Sequence, residues 1–396
     1  MMRKNRSLAI LVGVISALCS CKDKYLPNVK ENTVSYLVVE GLINTGTDST
    51  IFNLTRTFKL DNKAVVSPEK GAIVQVENEA GTVYLLPETV KGGKYGRPSL
   101  GLDGTKKYRL RIRTKDNKQY LSDFTQSKTS PPIDNITYDF RNDMLNIYAN
   151  THDPAGNSRY YNFSYDETWE YRSPLYTPFK VVNHEILIRN LQKEDVSRCW
   201  HNTPSSTINL KSTVGLSEDR VSDKALLSIA PNSEKIGFEY SVLVKQTVLT
   251  KEAFEFWESL RRNTEQVGDI FDVQPSQLFG NISCITNPAE VVIGFVSAGT
   301  VSQQRLLLLS KDLPNNFRGP VYDLACENSV ADVLFHAADR TNQVLDLILY
   351  PSTPFAYPIT EISDGGDLKG YKAVSQLSCI DCTTAGGTIT KPSYWK

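Results

Sequence analysis

The chain has 396 residues, and its 44 basic and 44 acidic side chains cancel to a formal net charge of zero. That balance provides no global field to attract nucleic acid or a strongly charged partner, so nucleic-acid binding is not expected. The length allows two or three domains of about 100 to 200 residues, each large enough to bury a core.

Residues 1–20 read as a lipoprotein signal. Arg3, Lys4 and Arg6 precede an uncharged run, Leu8 to Leu18, that is too short to span a bilayer. The run ends in Leu18-Cys19-Ser20-Cys21. Leu18 is too large to precede the cleavage point, which excludes Cys19 as acceptor and leaves Cys21 as the expected lipidation site. Acyl chains on Cys21 would hold the mature chain at a membrane surface without a spanning segment. Residues 21–34 are polar with one proline and read as a tether.

From Ser35 the sequence becomes short strands and turns. Segments 36–43, 49–57, 71–81 and 82–87 are rich in β-branched and aromatic residues, with Gly, Asn and Pro between them. In KYRLRIRTK (107–115), Tyr108, Leu110 and Ile112 alternate with Arg109, Arg111 and Arg113, which predicts a strand with one buried and one basic face. The basic face suits a solvated sheet surface or, alternatively, an anionic partner such as a lipid head group. Leu102, Gly104 and Tyr108 fit the tyrosine corner of an immunoglobulin-like sandwich. Residues 35–130 are therefore expected to form such a sandwich, closed by Pro131-Pro132, a pair that resists both helix and central strand.

Residues 131–396 are expected to form a larger, β-rich C-terminal domain, making the protein mainly β. In YYNFSYDETWEY (160–171), Tyr161, Phe163 and Tyr165 alternate with Tyr160, Asn162 and Ser164, as in a packed strand or a stacking platform for sugars or peptides. Pro174 and Pro178 then predict a stiff loop. Trp169, Tyr171 and Tyr176 are accordingly candidates for ligand or partner contact, with Trp169 and Tyr176 expected to be partly exposed. A short amphipathic helix is predicted near 250–263, capped by Thr250, with Ala253, Phe254, Trp257 and Leu260 on one face. The terminal SYWK is expected to dock through its aromatics.

Five cysteines follow Cys21. Cys199, Cys326, Cys379 and Cys382 are disulfide candidates in an oxidising compartment, and Cys284 is expected to stay free. The C-x-x-C pair, Cys379 and Cys382, can close on itself or on Cys199 and Cys326. A lone C-x-x-C is weak evidence for zinc. His152, His184, His201 and His336 stand in no metal-ligand spacing, and no nucleophile elbow or phosphate-binding loop is present. Asp364 and Asp367 in SDGGD fit a turn as well as calcium. No catalytic residue, metal or cofactor is therefore expected, and the chain does not read as an enzyme. A carboxylate pair drawn from separate strands leaves a degradative enzyme as the least favoured reading.

Several phrases in combination and in order, among them YLVVEGLI, LDGTKKYRLRIRTKDNKQYLSD, PPIDNITYDF, EYSVLVKQTVLTKEAFEFWESLRRN, EVVIGFVSAGTVSQQR and CIDCTTAGGTITKPSYW, resemble the Bacteroidetes lipoproteins described as domain of unknown function 4249. The resemblance implies a lipid-anchored outer-membrane protein, usually encoded beside a TonB-dependent transporter; the cell surface is the expected face and the periplasmic face the alternative. A non-catalytic binding or lid subunit in nutrient uptake is the expected function, with a glycan or peptide as ligand. The alternative is a structural or adhesive surface protein. Acidic residues just after the lipidated cysteine favour surface export in this lineage, and Lys22-Asp23-Lys24 supplies only one.

Overall fold

The computed structural model describes residues 35–57, 67–183, 185–265, 280–318, 326–334 and 357–395. The signal, the tether, Cys21 and His184 lie outside the described residues.

The period-two patterns become strands. The first nine are β1 (Leu37–Asn44), β2 (Thr50–Arg56), β3 (Ser67–Pro68), β4 (Ile73–Asn78), β5 (Val83–Leu86), β6 (Lys94–Arg97), β7 (Lys107–Arg113), β8 (Gln119–Ser122) and β9 (Thr125–Lys128). Tyr108, Leu110 and Ile112 of β7 are buried while its arginines face outward. The tyrosine corner forms: the Tyr108 hydroxyl donates to the Asp103 carbonyl at 3.0 Å and accepts from the Asp103 N–H at 2.8 Å. One layer orders β1-β2-β6 and the other β5-β4-β7-β8, the Greek key of an immunoglobulin-like sandwich. Leu37, Phe52, Val76, Tyr95, Leu110 and Tyr120 from both layers meet in one core.

The same key is built again further along. Strands β10 (Ile133–Arg141), β11 (Met144–His152), β12 (Tyr160–Arg172), β13 (Phe179–Val182), β14 (Glu185–Ile188), β15 (Arg198–Pro204), β16 (Asn209–Ser212), β17 (Arg220–Ile229) and β18 (Glu239–Val248) follow in turn. Layer β10-β11-β17 faces layer β15-β12-β18-β22, where β22 is Val301–Leu309. Ile147 and Val221 of the first layer share a core with Phe163, Tyr240 and Leu308 of the second. The turn between β10 and β11 is Asn142-Asp143, both at φ 54°, which matches the two-residue hairpin geometry that Asn and Asp tolerate.

Between β18 and β22 the chain makes an excursion. It forms helix α2 (Lys251–Glu265), the short α1 (Leu191–Glu194) having preceded it, and then adds β19 (Ile282–Cys284), β20 (Val292–Ile293) and β21 (Ser297–Gly299) to the first sandwich. Strand β19 pairs antiparallel with β8, while β20 and β21 pair parallel with β1. β21 also pairs parallel with β9, which itself bonds to β7, so the two layers join at that edge. Ile282, Val292, Val296 and Ala298 enter the first core. The expected division at residue 130 therefore needs correction: the first sandwich is discontinuous, and the segment 280–300 belongs to it rather than to a C-terminal domain at 131–396. The physical reason is that the 35–130 segment leaves an edge of β1 and part of the core uncovered.

The remaining described strands, β23 (Val330–Leu334), β24 (Tyr357–Asp364) and β25 (Asp367–Val374), form a small sheet ordered β23-β25-β24. Asp364 and Asp367 flank the hairpin turn Gly365-Gly366, both at positive φ. Phe179 of the β13–β14 hairpin packs edge-on against Tyr371 of this sheet, with ring centroids 5.4 Å apart. The tail then crosses to the second sandwich, where Trp200 and Thr388 exchange backbone hydrogen bonds of 2.8 and 3.0 Å. Trp395 is buried, and Arg305 lies 3.5 Å over the ring of Tyr394.

Candidate functional site

The excursion that completes the first sandwich also makes a cleft. Thr250 caps α2, its hydroxyl accepting from the Ala253 N–H at 3.2 Å, and this fixes the first turn of the helix opposite β9. A cavity of about 700 Å³ lies between them. Phe124, Phe256 and Phe295 supply apolar wall; Asp123, Glu252 and Glu255 supply carboxylates, against one lining cation, Lys107. Phe256 and Phe295 lean on each other with centroids 5.6 Å apart, and Arg109 covers the Phe124 ring at 4.5 Å. Asn281 holds the floor, donating to the Val296 carbonyl at 2.9 Å and accepting from the Val296 N–H at 2.8 Å. Hydrogen bonds from its own backbone N–H and from Thr250 hold the Glu252 carboxyl below its ordinary value, so it is anionic at neutral pH. Glu255 stands 3.7 Å from Lys251, and Lys107 stands 3.6 Å from Glu79. An apolar wall beside a net negative rim suits a ligand that carries a cation on an apolar body.

A second cleft, of about 960 Å³, opens beside Ser35 and is polar. Glu290, from the excursion, accepts from Lys118 at 2.7 Å, from the Tyr120 hydroxyl at 2.6 Å and from Arg56 at 3.3 Å. Burial raises the Tyr120 hydroxyl above its ordinary value, and Glu290 adds to the rise. These groups satisfy one another and fasten the excursion to the sandwich.

Trp169, Tyr171 and Tyr176 are not brought into one site. Strand β12 continues to Arg172, and Trp169 is only 6% exposed within the second core, stacked on His201 at 5.2 Å. The expected exposure of Trp169 is thus corrected: it fills space between the layers and is not a surface contact. Tyr171 is half-buried against the same core and meets His201 edge-on. Tyr176 is 48% exposed in the connection that follows. Desolvation lowers the His201 imidazole below its ordinary value, and its Nε2 is buried without a hydrogen-bond partner.

That same connection carries a surface the sequence reading passed over. In the β13–β14 hairpin Phe179 points inward while Val181, Val182, Leu187 and Ile188 are exposed, Ile188 at 76%, with Leu191 of α1 beside them in the chain. The signal was available as two short apolar runs, FKVV and EILI, around Asn183, which adopts φ 49°. The register puts Val182 and Leu187 on the face opposite Phe179, with Val181 and Ile188 on the Phe179 side, and exposed apolar groups sharing a face are features of contact surfaces.

The cysteines pair as Cys199–Cys382 and Cys326–Cys379, and Cys284 is free and buried. The C-x-x-C residues therefore close on distant partners rather than on each other. Among the described residues no group of three or more His, Cys, Asp or Glu side chains is placed to hold a metal ion, and no helix is long and apolar enough to cross a membrane.

A two-domain fibronectin type III segment of chicken tenascin is similar to this chain at 12% identity, covering 54% of this chain and 92% of that one, with a TM-score of 0.16. No curated protein matches the chain. Residues 22–305, which span both sandwiches and the excursion that ties them, match a single family model, and the chain belongs to that family, described as Domain of unknown function (DUF4249).

Proposed function

We propose that this protein is a lipid-anchored, non-catalytic binding or lid subunit of an outer-membrane uptake complex. It captures a ligand in the α2 cleft and docks on a TonB-dependent transporter. The observation that carries the reading is the cleft itself, with Phe124, Phe256 and Phe295 beside Asp123, Glu252 and Glu255. Its chemistry favours a peptide bearing basic and apolar side chains over a glycan, whose neutral rings call for Trp or Tyr faces. The exposed hairpin residues Val182 and Leu187, which share the face opposite Phe179, are the surface for the barrel. Attachment through Cys21, at the end of Leu18-Cys19-Ser20-Cys21, would keep both surfaces beside the membrane.

Affinity capture of the tagged full chain from detergent-solubilised membranes tests the docking half. A stoichiometric barrel partner is expected, and Val182→Asp with Leu187→Asp should remove it. Recovery of the chain without a barrel would point to the spacer or adhesive alternative. Calorimetry with short basic-apolar peptides tests the capture half, and binding insensitive to Glu252→Gln would remove the cleft from the proposal.

A further inference from the structure

The outward face of the β5-β4-β7-β8 layer combines two features on one plane. Register places Leu85 opposite Gln75, Gln75 opposite Arg111, and Arg111 opposite Leu121; the neighbouring rows run Val83, Glu77, Arg109 and Ile73, Arg113, Gln119. Side chains of paired residues share a face, so apolar groups of β5 and arginines of β7 lie on one surface, with Gln75 and Glu77 of β4 between them. Ile73, Val83 and Leu85 are exposed at 39%, 48% and 52%. Arg109 and Arg111 both bind Glu77, Arg109 at 2.8 Å, and Lys107 stands near Glu79. Arg113 is exposed at the end of the row. Arg109, Arg111 and Arg113 against Glu77 leave these rows positive in a chain whose total formal charge is zero, while Lys107 belongs to the rim of the α2 cleft. Among the described strands β5 pairs only with β4, so this apolar, basic face runs to the edge of the described sheet.

We infer that this face rests on an anionic phospholipid surface, with Val83, Leu85 and Ile73 at the acyl boundary and the arginines against phosphate. The described chain enters this sandwich at Ser35, fourteen positions after Cys21, so with the anchor of the proposed function, on which this step rests, the first sandwich is the module nearest the lipid in sequence. An anchor alone leaves the module free to tumble over the membrane. A basic, apolar face adds a second signal that fixes its orientation.

The test uses the mature chain with Cys21→Ser, which carries no acyl group, in flotation with vesicles of phosphatidylcholine alone or mixed with phosphatidylglycerol. Binding about tenfold stronger to the mixed vesicles is expected, and it should fall as salt is raised. Arg113→Gln combined with Leu85→Ser, both at exposed positions, should abolish the preference with the melting temperature unchanged. If that pair proves unstable, Val83→Ser with Arg113→Gln serves the same purpose. Equal binding to both vesicle types, or a preference that survives the substitutions in a folded variant, overturns the inference. The anchor is read separately by acylation of the wild-type chain at Cys21, so the two can fail independently.

Discussion

Trp169 stands in a row, Tyr161, Phe163, Tyr165, Glu167, Trp169 and Tyr171, that keeps period two for the whole length of β12. A carboxylate in the middle of that row looks like the end of a strand. The structure shows why it is not: Glu167 accepts from the Tyr240 hydroxyl at 2.7 Å and from Lys235 at 2.9 Å, so a buried charge is paired and the strand goes on. The aromatics were legible as a stripe, whereas the partners that make Glu167 tolerable arrive from residues about seventy positions later, which no local pattern announces. Trp169→Ala should therefore cost about 3 to 5 kcal/mol of stability. Tyr176→Ala, at an exposed site, should stay within about 0.5 kcal/mol. Chemical denaturation of the two variants checks both, and a small loss for Trp169→Ala would contradict its place in the core.

At the scale of elements, α2 and β7 were readable because their periods, 3.6 and 2, persist over many residues. The excursion was not. β20 and β21 are two and three residues long, too short to show a period, and their partners β1 and β9 lie far back in the chain. Two of its residues give direct tests. Gly294 adopts φ 145°, and a Cβ there would lie 2.2 Å from the Val39 carbonyl oxygen, so Gly294→Ala should destabilise by about 1 to 3 kcal/mol. Thermal melting reads this. Burial raises the Glu290 carboxyl, but hydrogen bonds from Lys118, Tyr120 and Arg56 and the charge of Lys118 more than offset it and hold it below the ordinary 4.5. A depressed carboxylate stabilises fully above its unfolded value and loses that stabilisation as pH falls through the folded one. The wild-type chain should thus weaken below about pH 4.5. Glu290→Gln should be less stable at neutral pH with a flatter decline in acid, as denaturant titrations across pH would show. Parallel acid limbs for the two proteins would place the acid sensitivity elsewhere.

Over the whole molecule, an odd number of cysteines after Cys21 signalled at least one free thiol, yet four cysteines allow three pairings and spacing cannot choose among them. The choice is made by β15 and the tail meeting at Trp200 and Thr388. The Cys199–Cys382 bond encloses 183 positions of sequence. Its loss in Cys382→Ser should cost about 2 to 5 kcal/mol. Peptide mapping without reduction should recover that cross-link and Cys326–Cys379, and a Cys379–Cys382 product would refute the pairing. The first sandwich gives a further prediction: a fragment ending at residue 130 lacks Ile282, Val292, Val296 and Ala298, and should show no cooperative unfolding transition in calorimetry.

The pairing of Leu42 with Ser297 also sets a calendar for the chain. Synthesis delivers β1 early and its parallel partners β20 and β21 only after every strand of the second sandwich through β18 has been made. During that interval β1 and β9 offer open hydrogen-bonding edges, the kind of surface that recruits strangers. Contacts between residues so distant in sequence also form slowly. The first sandwich to be started is therefore not finished until nearly three hundred residues have been made, and a defect in the segment 280–300 will be felt as a failure of the amino-terminal module to come of age.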